Sequence, residues 1–116
     1  MSNFLYLFRG GDEHFNTFSQ EEKQAHMEVW GAWMGGLAEK GKLVDGFPLD
    51  AKGTVVKNRG EIMTNGPFAE GEEIVGGYVI VSADSFEEAV EISKGCPIFD
   101  YKGSTLEVRE IMSMDM

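Results

Sequence analysis

Residues 75–88 read VGGYVIVSADSFEE, and they contain a strand followed directly by the start of a helix. Residues 75–81 are apolar at both odd and even positions, as in a strand that is buried on both faces. Ser85-Phe86-Glu87-Glu88 predicts a capping box, in which the Ser85 side chain caps the helix and Glu88 bonds back to the cap. Gly95 and Pro97 predict the end of this helix. The stretch therefore predicts one strand–helix unit.

The N-terminal part of the chain repeats this pattern. Residues 3–9 (NFLYLFR) are again apolar on both faces, and Ser19-Gln20-Glu21-Glu22 predicts a second capping box. The helix that it opens is expected to end near Lys40, where Gly41 stops it. Gly35-Gly36 lies inside this helix and suggests a close backbone contact, because glycine there costs stability relative to alanine.

One further strand follows each helix, at residues 42–49 and 105–112, and pairing of the first is expected to be interrupted at Gly46 and Pro48. The strand–helix–strand order therefore occurs twice, which predicts an α+β fold of the ferredoxin-like βαββαβ type. Residues 54–57 and 61–64 predict a β-hairpin inserted between the two halves.

In this arrangement both helices cover the same face of the antiparallel sheet, and the first and third main strands are apolar on the other face as well. A second copy packed sheet against sheet would cover that face, so the sequence predicts a homodimer that forms an α+β barrel. The alternative is that the inserted hairpin folds over the same face.

Composition limits the classes of function. The chain has 116 residues, which suits a single domain spanning 1–116, and a net charge of −10. Its basic residues are scattered, so direct nucleic-acid binding and an anionic membrane surface are not expected. No apolar run is long enough to span a membrane, no secretory signal is evident, and the one cysteine, Cys96, predicts no internal disulfide. These features favour a cytoplasmic protein. Two histidines and one cysteine give no metal-ligand spacing, and no cofactor motif occurs.

His26 is the candidate catalytic residue, because it shares a helical stripe with Trp30 and Trp33 and because histidine changes charge near neutral pH. An inert histidine at the helix–sheet interface is the alternative. Asp45, before Gly46, is a candidate partner for His26, or else an exposed carboxylate at an Asp-Gly turn. The two tryptophans are candidates to wall a ligand pocket, although tryptophans at helical spacing commonly belong to a core.

Two further features are candidates for ligand binding. Glu107 and Arg109 share the strand face opposite Leu106 and Val108, so Arg109 is placed to hold an anionic ligand, or to form an ion pair at a dimer interface or on a solvated edge. Asn65-Gly66-Pro67-Phe68 predicts a rigid corner, which suits either a pocket mouth or a dimer contact through Phe68.

The chain resembles YCII-related proteins of the DGPF type over roughly residues 3–112. The resemblance lies in Asn65 to Glu70, Gly76-Gly77-Tyr78, the Gly41–Gly46 segment, the Ser85 helix with its Cys96-Pro97 exit, and Leu106 to Arg109. Asn65 stands where an aspartate is usual, which disfavours a base or a metal ligand there. The resemblance implies a dimeric ferredoxin-like barrel similar to muconolactone isomerase, adds Tyr78 to the ligand-binding candidates, and brings with it the His–Asp pair proposed as catalytic in YCII members.

Two functions follow as hypotheses. The first is a small acid–base enzyme, isomerase- or lyase-like, that acts on a compact organic acid or cyclic ketone through His26 and Asp45, with Arg109 holding an anion. The second is a non-catalytic ligand-binding or regulatory module, for example one that partners a sigma factor, as some members of the family do. A haem-handling barrel is a more distant alternative that rests on fold analogy.

Overall fold

A computed structural model describes residues 1–10, 18–49, 53–65, 75–101 and 103–113. Its helices are α1 (Gln20–Glu39) and α2 (Phe86–Ser93), with 3₁₀ turns at Asn58–Gly60 and Pro97–Asp100. Its strands are β1 (Ser2–Arg9), β2 (Leu43–Pro48), β3 (Thr54–Lys57), β4 (Ile62–Asn65), β5 (Val75–Ala83) and β6 (Thr105–Glu110).

The main sheet has four antiparallel strands in the order β2-β5-β1-β6. Each half of the chain contributes one central strand, one edge strand and the helix between them, which confirms the predicted ferredoxin-like α+β arrangement. The pairing of β2 with β5 includes both Gly46 and Pro48, and its irregularity lies between Leu43 and Asp45. Pairing is therefore not interrupted where the sequence suggested, because Gly46 lets β2 approach β5 closely and Pro48 ends an edge strand.

Both helices begin with the predicted caps. The Ser19 side chain accepts a hydrogen bond from the Glu22 amide, and the Glu22 carboxylate accepts one from the Ser19 amide. Ser85 also caps α2 by accepting a hydrogen bond from the Glu88 amide, but the Glu88 carboxylate, which was expected to complete a capping box, instead binds Lys42 Nζ at 2.6 Å. Each cap satisfies an amide that has no partner within the helix, and the acidic first turns complement the helix dipole.

The core lies between the helices and one face of the sheet. Along β1, Phe4, Tyr6 and Phe8 are buried and point toward the helices. The Tyr6 hydroxyl donates a hydrogen bond to the carbonyl of Ala89 in α2, which ties the centre of the sheet to the second helix. The remaining buried apolar residues are Leu37, Val79, Val81, Ala83, Ala89, Cys96 and Ile98.

The other face of the sheet carries Leu5 and Leu7 from β1 and Tyr78 and Ile80 from β5, all of them partly exposed. The shortest extent of the molecule is 19 Å, about the thickness of one helix layer on one sheet. Within the described ranges no helix covers this face. We refer to it as the open face.

The predicted hairpin is present as a separate two-stranded sheet of β3 and β4. Its apolar side chains do not pack onto the open face, since they are 41–59% exposed: Val55, Val56, Ile62 and Met63. Among the described residues, no helix is both long enough and apolar enough to cross a bilayer.

Candidate active site

A cleft of about 240 Å³ lies between the N-terminal half of α1 and the 3₁₀ turn after α2. It is at the end of the sheet where β1 finishes and β6 begins. That volume is slightly below the roughly 300–1,000 Å³ of typical ligand pockets, so the cleft suits a compact, one-ring molecule. Its lining is largely apolar with a few polar groups, and consists of Phe18, Glu22, Ala25, His26, Val29, Trp30, Pro97, Asp100 and Tyr101.

His26 lies in an aromatic environment within this cleft. Its Nδ1 atom shares a hydrogen bond with the Tyr101 hydroxyl. The ring centroids of Phe18 and Trp30 lie 5.9 and 6.0 Å from that of His26. Partial burial lowers the pKa of His26 below its usual 6.5, because the charged imidazolium loses hydration. The imidazole is therefore neutral at pH 7, the form that can accept a proton.

The two tryptophans of the helical stripe have different places. Trp30 lines the cleft and packs edge-to-face on Phe8, with ring centroids 5.1 Å apart. Trp33 is also partly buried against the core, where its ring stacks on Tyr6 with centroids 6.3 Å apart, and it is not among the residues that line the cleft. The Trp30 Nε1 atom is buried and has no hydrogen-bond partner among the described residues. The structure thus brings Trp30, and not Trp33, together with His26 at the cleft surface.

Asp45 lies away from His26, on the open face. It is exposed on β2, across from Ile80 on β5, and its carboxylate accepts a hydrogen bond from the Gly46 amide at 2.9 Å. Tyr78 is on the same face, where its ring meets Phe47 edge-on with centroids 6.3 Å apart. Within one chain, the helix layer and the sheet separate these two residues from the cleft.

Arg109 is also on the open face, at the β6 edge. Its guanidinium lies 3.8 Å from Glu107 Oε2, while Arg9 binds Glu107 Oε1 at 2.7 Å. Within one chain, Glu107 therefore contacts two guanidinium groups, and an ion pair of Arg109 at a dimer interface stays a prediction. The Arg109 side chain is 69% exposed and is not part of the cleft at His26.

The predicted corner falls mostly outside the described residues. Asn65 is the last residue of β4, and Gly66, Pro67 and Phe68 lie beyond the described range. Their assignment to ligand binding stays a prediction.

Sequence reasoning missed Tyr101, the hydrogen-bond partner of His26, and Asp100, which lines the same cleft. Tyr101 and Asp100 follow Pro97, which begins the 3₁₀ turn and directs the chain back toward α1. The available signal was a proline followed within four residues by an acid and a tyrosine. Helical spacing from His26 could not indicate Tyr101, which is 75 positions away in the sequence. Cys96 before this turn is buried, and burial raises the pKa of its thiol to about 12, which disfavours a nucleophilic thiolate.

Comparison with known proteins identifies the family of this fold. The profile of the YCII-related domain matches residues 5–115. The chain belongs to the YCII-related domain family. A search of curated proteins finds no match.

Among solved structures, this YCII-related domain is similar to 5-chloro-2-hydroxyhydroquinone dehydrochlorinase (TftG) from Burkholderia phenoliruptrix AC1100, in complex with 2,5-dihydroxybenzoquinone. The two are 16% identical over 90% of each chain, with a TM-score of 0.51. At that identity the likeness shows a shared fold. Within the described part of the domain, no three histidine, cysteine, aspartate or glutamate side chains gather closely enough to hold a metal ion.

Proposed function

We propose that this YCII-related domain is a small acid–base enzyme that moves a proton on a compact cyclic ketone or related organic acid in the cleft at His26. The observation that carries the proposal is the hydrogen bond between His26 Nδ1 and the Tyr101 hydroxyl inside a cleft lined largely by apolar and aromatic side chains. Such a site holds one neutral base in a fixed orientation beside a surface on which a flat ring can stack.

The role of Tyr101 is to select the tautomer of His26. When Nδ1–H donates to the Tyr101 oxygen, the basic lone pair is on Nε2, which then accepts the substrate proton. The lowered pKa of His26 keeps that lone pair available below pH 6.5. Phe18 and Trp30 pack beside the imidazole and limit its rotation.

The reaction is an enolisation. His26 takes a proton from a carbon next to a carbonyl, the C–H electrons form the enolate, and the negative charge moves to the carbonyl oxygen. Return of the proton at another carbon gives an isomer, and departure of a leaving group from the adjacent carbon gives an elimination product. Both outcomes balance without an external oxidant or reductant. That TftG was solved with a one-ring dihydroxyquinone supports a compact cyclic substrate.

The assembly proposed with this function is a homodimer formed through the open face, in the cytoplasm. Asp45, Tyr78 and Arg109 lie on that face, so they reach a ligand only if one binds at the dimer interface. Trp33 supports the cleft from the core.

Proton exchange tests the proposal directly. Cyclic 1,2- and 1,3-diketones and hydroxyquinones are incubated with the protein in D₂O, and loss of the α-proton signal is followed by NMR. We expect catalysed exchange that His26→Gln reduces by at least roughly 100-fold, the usual contribution of a general base. Tyr101→Phe is expected to retain part of the activity, because it removes only the group that orients the base.

Met27→Gln is the matched control, since Met27 is next to His26 on α1 but is 68% exposed. Exchange that persists in His26→Gln would refute the catalytic role. Ring compounds that bind without exchange, detected by quenching of Trp30 fluorescence, would favour the ligand-binding module instead.

A further inference from the structure

The charged side chains that line the cleft at His26 are all of one sign. Among the described residues of its wall, Glu22 and Asp100 are acidic, and none is a lysine or an arginine. Within the described ranges, neither of these two carboxylates forms an ion pair. Both residues are exposed, so a ligand in the cleft can reach them.

The two carboxylates come from opposite walls of the cleft. Glu22 lies in the first turn of α1, four residues before His26, and residues at that spacing share one face of a helix. Its Oε1 atom accepts the Ser19 amide in the capping box, and its Oε2 atom has no hydrogen-bond partner among the described residues. Asp100 is the last residue of the 3₁₀ turn and directly precedes Tyr101. Each partner of the hydrogen bond between His26 and Tyr101 therefore has a carboxylate on its own wall.

Aromatic rings give the cleft a second feature that favours positive charge. Phe18, Tyr101, His26 and Trp30 follow one another as an aromatic row, with neighbouring ring centroids 5.9, 5.3 and 6.0 Å apart. The face of an aromatic ring carries partial negative charge and attracts a cation. Such rings are the surfaces on which proteins recognise ammonium groups. The aromatic row and the two carboxylates thus favour a ligand of the same charge.

We propose that the cleft selects its ligand by charge, and that the substrate is a one-ring ketone that carries an ammonium group. The carboxylates of Glu22 and Asp100 hold that group, and the aromatic row lies against the ring. A ring that carries a carboxylate is rejected, because like charges in apposition repel each other. Of the two substrate classes proposed above, the charge of the cleft thus assigns the ketone and disfavours the organic acid.

Enolisation strengthens the requirement for a positive substituent, and this step rests on the proposed function. When His26 removes the proton, a negative charge develops on the carbonyl oxygen of the substrate. A ring that carries an ammonium group then becomes a zwitterion without net charge. A ring that carries a carboxylate becomes a dianion beside two further carboxylates. The charge of the cleft therefore disfavours the transition state of an organic acid more than its ground state.

Three ring ketones that differ mainly in the charge of one substituent test the proposal. At pH 7, 4-aminocyclohexanone is positive, 4-hydroxycyclohexanone is neutral and 4-oxocyclohexanecarboxylate is negative. All three have exchangeable protons next to the carbonyl group. Their binding is measured by isothermal titration calorimetry, and proton exchange in D₂O is measured separately by NMR, so that ligand selection and catalysis are determined independently.

We expect the ammonium ketone to bind roughly tenfold more tightly than the neutral ketone, through exposed ion pairs and a cation–π contact together. The carboxylate ketone should bind more weakly than the neutral one. The values of kcat/KM for exchange should follow the same order. High salt should reduce the differences in binding, because exposed charges are screened.

A double variant, Glu22→Gln with Asp100→Asn, removes both charges and keeps the shape of each side chain. Glutamine can also complete a capping box, so α1 keeps its N-terminal cap. The three ketones should then bind within about threefold of one another, because the exposed ion pairs are lost. The matched control is Glu21→Gln with Glu28→Gln, which changes the net charge equally on exposed positions of α1 that do not line the cleft. The control should keep the preference for the ammonium ketone.

The possible outcomes separate this inference from the proposed function. Failure of the ammonium ketone to bind, equal binding of the three ketones, or a charge preference that persists in the Glu22→Gln, Asp100→Asn variant would overturn the inference. Equal rates of catalysed exchange for all three ketones would also overturn it and would leave the proposed function in place. Preferential binding of the ammonium ketone without exchange would support the charge selection and contradict the proposed function.

Discussion

Two glycines, Gly46 in β2 and Gly35 in α1, are expected to respond in opposite directions to the same substitution by alanine. A Cβ atom added at Gly46 would lie 2.9 Å from Val79 Cγ2, 3.0 Å from the Tyr78 carbonyl oxygen and 3.1 Å from Val79 Cα. Two of these three neighbours are backbone atoms of the paired strand β5, so the strain cannot be relieved by a side-chain rotation. At Gly35 the added atom would meet nothing within 4 Å.

The magnitudes follow from these distances. Overpacking of this kind destabilises the folded state by about 1–3 kcal/mol. Alanine also has less conformational freedom than glycine in the unfolded chain, which offsets about 0.4–1 kcal/mol of that loss. Gly46→Ala should therefore lower the free energy of unfolding by about 1–2 kcal/mol. Gly35→Ala should raise it by up to about 1 kcal/mol, the difference in helix propensity. For a domain of this size, 1 kcal/mol corresponds to a shift of about 4 °C in Tm.

Urea denaturation and thermal melts of both variants measure the difference. Equal or greater stability of Gly46→Ala would refute the close approach of β2 and β5. A destabilised Gly35→Ala would show that another protein surface covers the outer face of α1, since the described chain leaves that position open. That outcome would agree with the close backbone contact that Gly35-Gly36 predicts from the sequence.

Two further predictions concern the site and the core. His26→Gln should reduce the loss of stability on acidification. Because the pKa of His26 is lower in the folded state than in the unfolded state, the unfolded state binds more protons as the pH decreases below 6.5. The free energy of unfolding of the wild-type protein therefore decreases as the pH decreases from 6.5 to the lowered pKa. Urea titrations of the wild-type protein and the variant from pH 7 to 5 measure the difference. Glu22 and Asp100, which line the same cleft, are present in both proteins, so their titration does not distinguish the two. Parallel profiles of stability against pH would contradict the prediction. Tyr6→Phe should lower the free energy of unfolding by about 1 kcal/mol, because it removes the hydrogen bond to Ala89 at a fully buried position; an unchanged urea midpoint would show that this bond contributes nothing.

The fold could be predicted from the sequence because its determinants are local. Strand parity in residues 3–9 and 75–81 and the caps at Ser19 and Ser85 each depend on a few neighbouring residues, and all of them point to the same topology. The pairing of β2 was less predictable, because a bulge between Leu43 and Asp45 depends on how the whole strand meets β5.

The candidate site could be predicted only in part, because its members come from distant segments. The periodicity of α1 identified His26 and Trp30, but the same periodicity could not distinguish Trp30 at the cleft from Trp33 in the core. Their places are decided by whether each indole meets Phe8 at the end of β1 or Tyr6 at its centre.

Asp45 illustrates how sequence proximity to a catalytic candidate can mislead about location. Asp45 follows the helix that carries His26, so a His–Asp pair was a natural interpretation. Strand alternation decides otherwise within one chain: Gly46 is paired with buried Val79, so its neighbour Asp45 is on the opposite face, with Arg109 in the same cross-strand row. The same alternation gives the two charges a common surface. Their function then depends on what covers that surface.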